Sequence, residues 1–73
     1  MEQAELKKFS SIASDMQLTE GIRSKAIEQL RNIGSREALL ALLELAANEK
    51  LPFKERDLTL KVARDVIKKT TQH

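Results

Sequence analysis

Apolar residues recur at intervals of three and four along most of the chain, and two glycines and one proline punctuate the pattern. Leu6, Phe9, Ile12, Ala13 and Met16 make one stripe, which predicts a first helix over residues 3–16. Ser10, Ser11 and Ser14 weaken that stripe and read as a solvated face. A second helix is expected to begin at Thr19, an N-cap residue type, with Glu20 in the first turn, where negative charge suits the helix dipole. Its expected inward face is Ile22, Ala26, Ile27, Leu30 and Ile33, with Arg23, Lys25, Glu28, Gln29 and Arg31 outside. Gly34 is a natural left-handed cap at its end.

Ser35 can cap a third helix at once, with Glu37 in its first turn. A link of about two residues then forces the second and third helices into an antiparallel hairpin. Along residues 35–48 the leucines have no single face. At 100° per residue from Ala38, Leu42, Leu39, Leu43, Leu40 and Leu45 fall near about 40°, 100°, 140°, 200° and 340°. A helix apolar on most of its circumference is expected to be central and touched on two or more sides. Pro52 suits the first position of a fourth helix, where a missing N–H has no partner to lose. Leu58, Val62 and Val66 form one row there and Leu60, Ala63 and Ile67 a second beside it, a wide apolar face, before fraying at 70–73. No segment alternates apolar and polar residues long enough to predict a strand.

Composition narrows the class. Seventy-three residues allow one small helical domain spanning 1–73, too small to be robust without help from a partner or cross-link. Cysteine is absent, which excludes disulfides and thiolate metal sites. The longest unbroken apolar runs, 38–43 and 45–47, fall far short of the roughly 20 residues that span a bilayer. Met1-Glu2-Gln3 opens with neither the basic nor the apolar part of a secretory signal, so a cytoplasmic protein without membrane attachment is expected. Thirteen Lys and Arg against eleven Asp and Glu leave a net charge of +2, a solubility-range value rather than a polyanion-binding one. The last third, residues 51–73, holds the basic excess.

Shifted by 36 positions, the chain aligns Ile22 with Leu58, Lys25 with Lys61, Ala26 with Val62, Ile27 with Ala63 and Leu30 with Val66. The same shift lays Leu6 on Leu42 and Phe9 on Leu45, although Ile12 meets Asn48. Two weakly similar helical hairpins follow, the first helix with the second and the third with the fourth. The stretch that starts Ile22-Arg23-Ser24-Lys25-Ala26-Ile27, turns at Ile33-Gly34 and continues Ala38-Leu39-Leu40-Ala41-Leu42-Leu43 resembles HEAT-type repeats. The second copy departs from that pattern, with Thr59 after its first aliphatic residue and Lys69-Thr70 in place of Ile-Gly. The resemblance implies an all-α scaffold of stacked hairpins that presents helix faces to other macromolecules. A compact antiparallel four-helix bundle is the alternative architecture.

Candidate chemistry is sparse. The sole histidine, His73, is the last residue, with no fixed neighbours for acid–base work. Neither glycine belongs to a phosphate-cradling sequence, and no paired His or Cys spacing suits a metal. A non-enzymatic protein is therefore expected, with no catalytic, cofactor or metal residues. The expected role is a protein-interaction module whose partner is an acidic protein or a second copy. Its contact residues are expected to be Leu40, Leu45 and Leu60, with Lys61, Arg64 and Lys68 as a basic rim. The competing expectation is nucleic-acid binding through phosphates by that basic stripe, extended by Lys54, Arg56 and Lys69 and by Arg23, Lys25, Arg31 and Arg36. Against it stand Glu55, Asp57 and Asp65, expected to neutralise the stripe, and the absence of Trp and Tyr for base stacking.

Overall fold

A computed structural model describes the backbone of residues 2–71 and the side chains of residues 4–69. Four helices, Glu2–Ala13 (α1), Glu20–Ile33 (α2), Arg36–Ala46 (α3) and Phe53–Thr71 (α4), make an all-α fold, with no strand among the described residues. The caps expected at α2 and α3 are present. Thr19 Oγ1 accepts the Ile22 N–H at 3.3 Å and Ser35 Oγ the Ala38 N–H at 3.1 Å, each satisfying a donor that has no intrahelical acceptor. Gly34 stands at φ 62° and its N–H donates to the Leu30 carbonyl, so the two-residue turn into α3 uses the conformation that favours glycine.

Helix ends differ from expectation where side chains compete for backbone groups. The Ser14 hydroxyl donates to the carbonyls of Ser10 and Ser11 at 3.1 and 3.2 Å, and α1 stops at Ala13. Met16, expected on the α1 stripe, therefore lies exposed in the following turn. Asn48 Oδ1 accepts the Lys50 N–H at 3.0 Å in the turn after α3, and buried Leu51 anchors that turn to the core. Pro52 precedes α4 rather than opening it, its carbonyl accepting the N–H groups of Glu55 and Arg56. The α4 backbone stays helical through Thr71, and the expected tail residues Gln72 and His73 lie outside the described residues.

Packing is by hairpin. The most extensive pairings are α1 on α2 and α3 on α4; α1 also meets α3, α2 meets both α3 and α4, and α1 and α4 do not pair among the described residues. Like helices therefore stack on like, and the shortest extent of 17 Å matches two layers about 10 Å apart. Ala13, Ala26, Ile27, Leu30, Leu42, Leu45, Leu51, Val62, Ala63 and Val66 form the core, with Leu6, Phe9, Ile12, Ile33, Leu39 and Leu58 packed round it. Helix α3 touches all three others, as its all-round apolar pattern predicts, but its buried residues are only Ala38, Ala41, Leu42 and Leu45.

Two expected assignments are reversed. Ile22 is exposed and Arg23, expected outside, is buried. On α4, Ile67 stands exposed and Ala63 is buried, and Leu60 is exposed as its expected contact role requires. The α4 face that meets the neighbours is centred on Glu55, Thr59, Val62 and Val66, which turns the 60 and 67 positions outward.

Candidate functional site

Among the described residues the buried polar or charged side chains are Arg23, Glu55 and Thr59. The Glu55 carboxylate, 1% exposed, receives Arg23 Nε on Oε1 at 2.5 Å and Arg23 Nη2 on Oε2 at 2.9 Å, a bidentate pair across 32 residues of sequence. Arg23 Nη1 donates to the carbonyls of Leu18 and Asp15, the latter at 3.4 Å, so one guanidinium joins the α1–α2 turn to the start of α4. Its pKa is raised above the ordinary arginine value by the hydrogen bond to Glu55, partly opposed by burial and aided by the charges of Glu55, Glu20 and Asp15. Thr59 closes the cluster, its hydroxyl donating to the Glu55 carbonyl at 2.7 Å.

That cluster is closed rather than reactive. Both carboxylate oxygens are occupied, the arginine is committed, and no buried side-chain polar atom among the described residues lacks a hydrogen-bond partner. A general base or nucleophile needs an open coordination direction, which this geometry does not offer. No group of three or more His, Cys, Asp or Glu that could hold a metal occurs among the described residues. His73 lies outside them. Among the described residues no helix is long and apolar enough to cross a membrane. A second arginine is likewise structural: Arg56 Nε donates to the Ala46 carbonyl at 3.0 Å and satisfies an end of α3 whose last turn carries no basic residue of its own.

The surface carries the more informative pattern. Leu40, 56% exposed, and Leu43 stand on the outer side of α3; Phe53, 80% exposed, Leu60 and Ile67 stand on the outer side of α4. Scattered exposed leucines are ordinary, but five large apolar side chains on one hairpin form a surface. Leu40 and Leu43 also border an open groove of about 840 Å³ between α1 and α3, whose walls include Leu6, Lys7, Glu37 and Glu44.

The expected contact residues divide accordingly. Leu40 and Leu60 are exposed, and Lys61, Arg64 and Lys68 are exposed on α4. Leu45 is a correction: at 5% exposure it belongs to the core, because α3 turns its 38, 42 and 45 positions to the neighbouring helices. Leu43, Phe53 and Ile67 were not expected at the surface. A heptad comparison would have found two of them, since Phe53, Leu60 and Ile67 are spaced seven apart.

The basic residues are less available than their count suggests. Arg23 is buried and Glu55 pairs with it instead of neutralising the stripe. Lys61 Nζ lies 3.3 Å from Asp57, and Arg31 lies 3.2 Å from Glu28 and 3.6 Å from Asp65. No protein-family model, curated protein or solved structure matches the chain.

Proposed function

We propose that the protein is a small non-enzymatic interaction module of HEAT-like design that binds another protein through the outer face of its α3–α4 hairpin. The observation carrying this reading is the row of exposed apolar side chains, Leu40, Leu43, Phe53, Leu60 and Ile67, on a hairpin whose inner face is already fully packed. Stability does not need these side chains outside, and apolar area left in water costs about 25 cal/mol per Å² relative to burial. Lys61, Arg64 and Lys68 border the row and give it a basic rim that steers an acidic partner. The like-on-like stacking of the two hairpins and the 36-residue self-similarity support the HEAT-like part of the reading.

Affinity capture with the wild type and with Leu60→Glu tests it, with circular dichroism showing that both are folded. The same capture profile for wild type and variant refutes the reading; loss of a specific partner with Leu60→Glu supports it.

A further inference from the structure

Two surfaces of this chain have complementary patterns. On α4, Phe53, Leu60 and Ile67 form an exposed apolar row with a spacing of seven, and the next residues, Lys54, Lys61 and Lys68, form an exposed basic row with the same spacing. On α3, Leu43 is exposed beside Leu40, and the following residue, Glu44, makes an exposed acidic row with Glu37, again seven apart. Neither Glu37 nor Glu44 has an ion-pair partner among the described residues. The Lys61 contact with Asp57 joins two exposed side chains on one helix, an interaction of about 0.3–0.5 kcal/mol that a new partner can replace.

Direction follows from handedness. On α4 each lysine of the row stands one residue, about 100°, beyond an apolar residue, and on α3 Glu44 stands beyond Leu43 in the same rotational sense, with Glu37 following Arg36 one heptad earlier. When two such helices face each other in parallel, each charged row falls on the opposite side from its counterpart. When they face antiparallel, the apolar rows meet and glutamates lie along lysines. Because α3 and α4 are themselves paired as a hairpin, a two-fold axis running along them sets α3 of each copy on α4 of the other, antiparallel, twice.

We propose that the partner for this face is a second copy of the chain, the two α3–α4 hairpins packing as an isologous dimer with Glu37 and Glu44 of each copy against Lys54, Lys61 and Lys68 of the other. This rests on the interaction-module reading and names its partner. The overlap is limited to the length of α3, 11 residues or about 16 Å. A face of that length and two helices wide falls below the roughly 800 Å² per partner of a standard-size complex, the range of weak and reversible contacts.

Sedimentation velocity on the full chain, from about 1 µM to about 500 µM, measures this association. The expected result is a reversible rise from 8.3 kDa to twice that mass and no further, weakened by added salt. Leu60→Glu should raise the dissociation constant at least about a hundredfold, because the two-fold axis counts each lost anchor twice. Glu37→Lys with Glu44→Lys, and separately Lys54→Glu with Lys61→Glu and Lys68→Glu, should each weaken pairing about tenfold or more. Mixing these two oppositely reversed chains makes both α3–α4 contacts complementary, one with the signs exchanged and one as in the wild type, and should give a heterodimer tighter than either homodimer, a rescue that misfolding cannot mimic.

A wild-type chain that stays monomeric to the top concentration overturns the proposal, as does a mass that climbs beyond the dimer or a Leu60→Glu chain that pairs like wild type. The broader interaction reading fails separately, by an unchanged capture profile in the preceding experiment.

Discussion

Glu55→Ala should be the most damaging single change to a charged side chain in this molecule. The carboxylate is 1% exposed and both oxygens receive hydrogen bonds from Arg23, at 2.5 and 2.9 Å. Truncation leaves two donors of a guanidinium that is only 7% exposed without their acceptor. Removing one member of a buried, hydrogen-bonded ion pair costs about 3–5 kcal/mol. A chain of 73 residues has a total stability of about 4–11 kcal/mol at 0.05–0.15 kcal/mol per residue, so the loss is between about a quarter and the whole of it. Each kcal/mol is worth about 4–8 °C in a domain of this size, giving a fall in Tm of at least about 12 °C.

Urea and thermal melts followed by far-UV circular dichroism measure the effect. Glu49→Ala, which removes an exposed carboxylate, is the control and should stay within about 0.5 kcal/mol of wild type. The difference between the two variants should persist in high salt, since a buried pair is screened far less than a surface one. Replacing both partners, Arg23→Met with Glu55→Leu, should recover only part of the loss, because the carbonyls of Leu18 and Asp15 also lose their donor. A Glu55→Ala protein that melts within about 1 kcal/mol of wild type would show that the pair is not buried as described.

Leu42→Ala and Leu30→Ala, both at fully buried positions, should each cost about 2–5 kcal/mol in the same melts, whereas Leu40→Ala and Leu60→Ala should change stability by less than about 1 kcal/mol. Gly34→Ala should destabilise by about 1–2 kcal/mol because its φ of 62° is left-handed, and Gly21→Ala, with open space around the added methyl in a helix, should stabilise by about 0.5–1 kcal/mol. Arg23 carries a pKa raised by its partner, so its contribution is complete at every pH below its ordinary value and disappears only as pH rises through the higher folded value. The stability difference between wild type and Arg23→Met should therefore stay constant from about pH 7 to about pH 10. Titration with duplex DNA at physiological salt should give no binding tighter than about 10⁻⁴ M, the weak end of non-specific association, because the net charge is only +2 and Arg23 is buried against Glu55.

The readings that survive in the structure rest on interactions within a few residues. Thr19, Gly34 and Ser35 act on backbone groups up to four positions away, so residue type and place suffice to identify them as caps. The inner faces of α1 and most of α2 follow for a related reason: each shows one stripe, and a helix with one apolar stripe has only one stable way to turn. Helix α3 lacks that constraint. With leucine nearly all round, its own sequence is indifferent between hiding Leu45 and hiding Leu43, and the choice is made by where α1, α2 and α4 stand.

The same dependence governs Arg23 and Glu55. Taken singly, each belongs in water, and burying either alone is prohibitive. Burial becomes tolerable only when the two hairpins stack and bring together residues 32 positions apart, so no local signal distinguishes Arg23 from Lys25. Periodicity finds a face relative to its own helix; which direction is inward belongs to the neighbours. For Leu40, Leu43, Leu60 and Ile67 that argument continues one level further. The single chain has already used every inward direction available to it, and a second chain is the neighbour that could give these side chains one.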